Sequence, residues 1–255
     1  MKAEVQAYPG QVREYIEGDT RTHFVLLDEE ALTRLPACNS LLHRRDYRRL
    51  HKFCGATNKY AIFFLQKIIN NLGKGRTDPQ KTLHADTFHP SIKSWLYLQD
   101  VEPEDGPLTY VPGSHRLTWR RIVWEYRRSL IARDLKDGHS ENGSFRAGAD
   151  DLAFLGLPAP VPLIVPANSL VIANTFGFHC RGPAAHGRTR REVWCYSRVN
   201  PFNPLPGLDW APLNRLRYRI YQAYWRHRDR RAEAAGRRSY EHLTDVPFGL
   251  DDVSP

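Results

Sequence analysis

Hydrophobic and polar positions change period along the chain. From about Asp28 to Phe53, leucines at 32, 35, 41, 42 and 50 recur between charged residues, and this spacing predicts helix. The apolar run from Tyr60 to Ile69 is short enough to be either strand or helix. A loop rich in Gly, Asp and Pro follows over 71–80. Strand-like runs then appear at Thr82–Asp86, Ile92–Leu98 and Leu108–Val111, the last stopped by Pro112-Gly113. Ser114 is a fitting N-cap for a helix from about Leu117 to Leu135, where Trp119, Ile122, Tyr126 and Leu130 recur at helical spacing. The stretch from Asp137 to Asp150 is polar, contains glycine and reads as a loose insert. Val161–Val165, Leu170–Phe178 and Glu192–Val199 read as strands, and a final helix covers 211–238. Helices lead, strands carry the middle and a helix closes the chain. This predicts a mainly β core with flanking helices in a single domain over 1–255. Its parts are a helical N-terminal portion with the first strands (1–81), a core (82–200) and the closing helix.

Composition narrows the picture. With 255 residues, 41% hydrophobic and 25% charged, the chain is neither disordered nor fibrous and can bury a sizeable core. The formal charge is +9, but Leu213–Arg238 holds nine Arg against two acids and supplies +7 of it. The body is therefore nearly neutral. Met1-Lys2-Ala3-Glu4 opens no apolar signal, and no run is long enough to span a bilayer, so a cytoplasmic protein is expected. Four well-separated cysteines without a CxxC pair read as reduced core residues rather than a zinc site.

His84-Ala85-Asp86 is the first constellation with chemistry in it. Residues i and i+2 of a strand share a face, so an imidazole and a carboxylate there can grip one metal ion. Two His and one carboxylate form the facial arrangement that suits non-haem Fe(II). With 11 His and 28 acids, His-x-Asp/Glu is expected about once by chance, and the chain has three. His227 and Asp229 fall in a helical segment, where i and i+2 diverge, and His139 and Glu141 fall in a loop. Only His84 and Asp86 lie on a predicted strand.

The text around them is more specific. The 33 residues HADTFHPSIKSWLYLQDVEPEDGPLTYVPGSHR, from His84 to Arg116, resemble the phytanoyl-CoA dioxygenase family of Fe(II)- and 2-oxoglutarate-dependent oxygenases. The shared elements are His84 and Asp86, Trp95, the turn Asp100–Pro107 and Val111–Arg116. The resemblance extends to about Arg198, leaving the first 80 residues and the basic tail outside it. It implies a double-stranded β-helix (jelly-roll, cupin-like) core and an enzyme, a 2-oxoglutarate-dependent dioxygenase acting as a hydroxylase. Fe(II) and 2-oxoglutarate would serve with O2. The metal ligands, and thus the catalytic set, would be His84, Asp86 and His179, with His186 as runner-up for the third. An Arg about ten residues after the distal His would hold the far carboxylate of 2-oxoglutarate: Arg190 first, Arg191 next, Arg188 third. A guanidinium suits that task because it pairs bidentately with a carboxylate and stays charged. Trp95 would flank 2-oxoglutarate. Period-2 alternation puts Arg191 with Val193, Cys195 and Ser197, the set that looks more like a barrel interior. Where relatives carry Ser two residues after the distal His, this chain has Arg181. Asp86 occupies the position that halogenating relatives give to a small residue, which favours hydroxylation. His115, in the Pro-Gly-Ser-His-Arg turn, would brace the loop or face substrate, and His89 is expected at the surface or the mouth.

The expected reaction is hydroxylation of an unactivated C–H of a small molecule, with release of succinate and CO2. The basic segment points to an acidic substrate, such as a carrier thioester or phosphorylated sugar, or to an anionic surface. Two other readings stand beside it. One is a module binding nucleic acid or anionic membrane through Arg215, Arg217, Arg219, Arg226, Arg228, Arg230 and Arg231 interleaved with Tyr218, Tyr221, Tyr224 and Trp225. Against it, the same helix can pack Leu216, Ile220 and Tyr224 on the barrel with its basic face in water, and no nucleic-acid motif accompanies it. The other is a cupin-type isomerase or hydrolase on the same barrel.

Overall fold

A computed structural model describes residues 1–73, 76–198, 202 and 207–249. In chain order the elements are α1 (Lys2–Gln6), β1 (Val12–Glu17), β2 (Thr20–Leu26), α2 (Glu29–Arg34), α3 (Pro36–His43), α4 (Arg45–Cys54), β3 (Ile62–Ile69), β4 (Ser91–Tyr97) and β5 (Leu108–Tyr110). They continue with α5 (Trp119–Ile131), α6 (Ala149–Leu155), β6 (Val161–Pro162), β7 (Leu170–Asn174), β8 (His179–Arg181), β9 (Thr189–Arg198), α7 (Ala211–Ala234) and β10 (His242–Thr244).

Seven strands form an antiparallel sheet in the order β10-β1-β2-β3-β9-β4-β7, and three form a second sheet, β6-β5-β8. The two sheets enclose a cavity, so the core is a jelly roll with helices outside it. The large sheet explains why Ile62–Ile69 reads as an unbroken apolar run: both of its faces are covered. Phe63 and Leu65 face a core built with Val193, Cys195 and the N-terminal helices, through Leu32, Leu35, Cys38, Leu42 and Tyr47. Phe64, Gln66 and Ile68 face inward. The chain enters α2 through a side-chain cap, the Asp28 carboxylate accepting from the Ala31 N–H at 2.9 Å.

Several sequence expectations change here. The core does not begin at residue 82, because β1, β2 and β3 already belong to the large sheet. Thr82–Asp86 is not a regular strand; His84 makes isolated bridges to His179 and to Arg146. The run Leu170–Phe178 is broken after Asn174, and His179 starts a strand in the opposite sheet rather than ending one. Thr118, not Ser114, caps α5; the Ser114 hydroxyl instead accepts from the Phe178 N–H at 2.8 Å. The insert is anchored, with Phe145 and Ala147 buried beside Ala85 and Phe178. Cys38 and Cys195 are buried, Cys180 is half-buried and Cys54 is exposed, all four as free thiols.

Both long helices pack the unexpected way. In α5 the stripe Trp119, Ile122, Tyr126, Leu130 is exposed, while Arg121 and Trp124 are buried. In α7 the face toward the barrel is aromatic, with Tyr218, Tyr221 and Trp225 against Phe24 and Phe64; Leu216, Ile220 and Tyr224 are exposed. The helix ends at Ala234 rather than near 238. Several of its arginines are engaged: Arg215 pairs with Glu29, Arg228 with Glu241, and Arg217 donates to the Tyr60 carbonyl. Among the described residues no helix is long and apolar enough to cross a membrane.

Candidate metal centre

The segment carrying His84 and Asp86 is fixed by backbone bonding on both sides. His84 and His179 exchange N–H to carbonyl bonds of 2.9 Å in each direction. The Ala85 N–H donates to the Phe145 carbonyl and the Asp86 N–H to the Thr175 carbonyl. The strand-like alternation therefore holds although the strand is only a bridge, and His84 and Asp86 project to one side. Facing them, His179 opens β8.

The three side chains converge. Ligand atoms of His84, Asp86 and His179 all lie within 4.8 Å of one another. Asp86 Oδ1 is 3.8 Å from His84 Nε2 and 3.7 Å from His179 Nε2. Each imidazole is oriented by its other nitrogen: His84 Nδ1 donates to the Thr82 carbonyl at 2.7 Å and His179 Nδ1 to the Gly177 carbonyl at 2.9 Å. Those bonds leave a lone pair on both Nε2 atoms, and both are buried without a hydrogen-bond partner among the described residues. Burial lowers the His84 pKa well below its usual value, helped by His179 and opposed by Asp86. Burial also pushes His179 down to about 4, against the pull of Asp86. Burial alone would raise Asp86, but Lys93 and then the two imidazoles hold its carboxyl low. The set is two neutral imidazoles and one carboxylate, the donor chemistry that non-haem Fe(II) takes. Two orphaned, buried imidazole nitrogens aimed at a carboxylate fit such an ion, since burying them without a partner is costly otherwise.

His84 and His179 line a cavity of about 360 Å³ between the sheets, with Trp95, Arg190, Glu192 and Trp194 among its walls. Arg190 is buried, donates through Nε to Glu192 at 2.7 Å and through Nη1 to the Gly106 carbonyl, and lies over the Tyr97 ring. Trp95 is buried on β4, its backbone opposite that of Trp194 on β9. Arg191 projects to the other face of β9 with Val193 and Cys195, toward the helix-covered core, where Nη1 reaches Gln99 at 3.5 Å. This corrects the expectation that the Arg191 set faces the barrel interior: the inward set is polar and aromatic, because it lines a binding cavity rather than a packed core. Arg188 is half-exposed and pairs with Asp105 at 2.7 Å, away from the cavity walls. His186 bonds the Asn71 carbonyl and is not brought to the triad. His115 is exposed and His89 half-buried.

Four residues of this region were not singled out for these contacts. Lys93, two positions before Trp95 and so on its face, pairs with Asp86 at 2.8 Å. Arg181, on the face of His179, pairs with Asp78 at 2.7 Å. Glu192 is fully buried, and its Oε1 has no hydrogen-bond partner among the described residues. Arg146, bridged to His84, spends one nitrogen on Ser144 and keeps Nη2 buried without a hydrogen-bond partner among the described residues. Period-2 spacing from His179 and Trp95 could have found Arg181 and Lys93. Nothing local marks Arg146.

The model of the phytanoyl-CoA dioxygenase (PhyH) family matches residues 24–141. The match bears out the resemblance drawn from the sequence, and with it the class, a 2-oxoglutarate-dependent oxygenase. Its extent differs from the one read above. It starts well before His84, taking in the end of β2, then α2, α3, α4 and β3, and ends short of His179. The chain is similar to HygX from Streptomyces hygroscopicus, solved with nickel and 2-oxoglutarate bound, at 18% identity over 77% of this chain and 78% of that one, TM-score 0.40. It is similar to AviO1 from Streptomyces viridochromogenes Tue57 at 20% identity, over 80% and 86%, TM-score 0.43. It is also similar to the epimerase SnoN in complex with Fe3+, alpha ketoglutarate and nogalamycin RO, at 19% identity over 76% and 70%, TM-score 0.43. It spans about a third of the length of EvdMO1, which it matches at 17% identity over 64% of this chain, TM-score 0.35. No curated protein matches it significantly.

Proposed function

We propose that this oxygenase hydroxylates an unactivated C–H of a small molecule, with His84, Asp86 and His179 as iron ligands and Arg190 as the anchor for the far carboxylate of 2-oxoglutarate. The observation that carries this reading is the pair of orphaned Nε2 atoms facing Asp86 inside a cavity that also holds Arg190. With iron and 2-oxoglutarate bound, the site would supply oxidative decarboxylation: one oxygen atom of O2 enters succinate, CO2 leaves and the other atom enters the substrate C–H bond.

The chain's own part is orientation and charge. The Thr82 and Gly177 carbonyls fix both imidazoles in the tautomer that presents Nε2. Lys93 keeps Asp86 ionised, so the carboxylate is ready to ligate without losing a proton first. The Arg190 guanidinium is pinned by Glu192 and Gly106, which spares much of the entropy cost of ordering it around a ligand. Trp95 walls the cavity beside it and excludes water.

The test is anaerobic titration of the purified protein with Fe(II) and 2-oxoglutarate, followed by the weak visible charge-transfer band, then metabolite profiling for an O2-dependent gain of one oxygen. A band in the wild type that is lost in Asp86→Ala is the expected result. No band, or an undiminished band in Asp86→Ala, overturns the assignment.

A further inference from the structure

The cavity does not end at the triad. A second void of about 260 Å³ shares Tyr15, Glu17, Gln66, Trp194 and Tyr196 with the first, so the two adjoin at these side chains. Its far walls are supplied by α7 and by the segment after it, through Tyr221, Trp225 and Tyr240. The lining is largely aromatic. Trp194 and Tyr196 lie 5.4 Å apart between centroids, Tyr221 and Trp225 5.1 Å, and Tyr15 stacks on Tyr240 at 5.6 Å. The Tyr196 and Tyr221 hydroxyls bond each other at 2.7 Å, which fixes the wall between barrel and helix.

Charge in this space is uneven. The cavity's cations are each neutralised at close range: Lys93 by Asp86, Arg181 by Asp78 and Arg190 by Glu192. Glu241, at the far end, accepts from Trp225 Nε1 and pairs with Arg228. Glu17 is the exception. It lines both voids beside Gln80, and it has no ion pair among the described residues. Burial, reinforced by Asp78 nearby, raises its pKa, while Arg181 and His139 act the other way. A carboxylate held there is costly unless a positive group joins it. Aromatic faces carry negative potential, and several around one carboxylate attract a cation whose surface is partly apolar. The positive charge that pointed to an acidic substrate belongs elsewhere: Arg219, Arg226, Arg230 and Arg231 lie exposed on α7.

We infer that the adjoining voids bind a substrate bearing an organic ammonium group, seated between Glu17 and the rings of Tyr15, Trp194 and Tyr196, with the rest of the molecule reaching toward the triad. This deepens the oxygenase reading and rests on it for the direction of the reacting carbon. Recognition of the cation can be measured without metal or co-substrate, so the two ideas can fail separately.

The experiment compares choline with its neutral isostere 3,3-dimethylbutan-1-ol, and with glucose, by calorimetry and tryptophan fluorescence on the full chain. The expected result is a Kd for choline at least tenfold below those of the alcohol and the sugar. In Glu17→Gln, choline should weaken about tenfold while the alcohol is unchanged. The inference is overturned if the alcohol or glucose binds as tightly as choline, if none of the three binds, or if Glu17→Gln leaves the preference intact. The wild-type comparison stands even if the variant does not fold. A charge-transfer band without choline binding would sink this inference and leave the oxygenase reading standing.

Discussion

The guanidinium of Arg121 sits 4.0 Å from the centroid of the Phe178 ring, sealed beneath the residue that precedes His179. From α5 it donates to the Phe176 carbonyl at 3.0 Å and the Ser114 carbonyl at 3.2 Å, and it pairs with Glu125. One buried cation thus ties helix, turn and the third metal-facing side chain together. Replacing it by Met leaves Glu125 and two carbonyls uncompensated, so Arg121→Met should cost about 3–5 kcal/mol in urea unfolding. Removing Glu125 as well should recover part of that loss. Metal affinity should weaken in both variants if the turn before His179 shifts. An unchanged midpoint for Arg121→Met would show that the pair carries no net stability.

Metal should stabilise the fold, because the triad exists only when both sheets are assembled. At a hundredfold excess over Kd the gain is about 2.7 kcal/mol, equivalent to a rise in Tm of roughly 5–10 °C for a chain of this size. Chelator-treated protein titrated with Co(II) or Ni(II) should show this in a thermal scan. Asp86→Ala should show almost none of it.

Gly106 joins the turn to the cavity wall at Arg190. Its φ is +67°, and a Cβ there would meet Asn70 Oδ1 at 3.1 Å and Arg181 Cγ at 3.3 Å, while its carbonyl accepts from Arg190. Gly106→Ala should cost about 1–2 kcal/mol for the left-handed backbone and its crowding. It should also weaken 2-oxoglutarate binding more than metal binding. Equal weakening of both would mean that the turn acts on the whole barrel rather than on Arg190.

Asp151 holds α6 to α5 by accepting from Trp124 Nε1 and Arg128 at 2.7 Å. Burial would raise its pKa, but the hydrogen bond from Arg128, then those from the Gly148 N–H and Trp124, lower it. A depressed folded value means the contribution is complete above the unfolded carboxylate pKa, about 3.9, and is lost as pH falls through the lower folded value. Asp151→Asn should therefore be destabilised by about 1.5–3 kcal/mol at pH 7, with the gap to wild type narrowing below about pH 4. A gap constant down to pH 2 would rule out the ionised carboxylate as its source.

The outward stripe of α5 gives a simple check of which face is buried. Tyr126→Ser and Leu130→Ser should each change stability by less than about 0.5 kcal/mol. Trp124→Ala should cost about 3–5 kcal/mol. The reverse order would mean that the helix packs by its aliphatic side.

Part of the site could be read locally. His84 and Asp86 are one alternation apart, and the surrounding 33 residues are specific enough to lift that pair above two chance matches. Trp95 and Arg190 do line the cavity, but in the sequence only spacing favours Arg190 over Arg191. Hydrophobic pattern argued for the wrong face, because β9 is covered on both sides and its inward residues line a solvent-sized space. The same failure recurs in α5 and α7. An amphipathic pattern says that one stripe differs from the other; it does not say which stripe finds a partner when arginines can be buried over aromatic rings.

While β1, β2, β8 and β10 carry too little pattern to be read, local order by itself determined β4, β5, β7 and β9 to within a few residues, the helices between Glu29 and Cys54, the His-x-Asp pair and the resemblance to the family. Those depend on short-range sterics, side-chain period and contiguous motifs. Only the tertiary structure decided that His179 meets His84 and Asp86, that Lys93 and Arg181 are neutralised, and that α7 closes an aromatic cavity around Glu17. Each is a meeting of residues far apart in the chain, set by how two sheets close and what covers their ends.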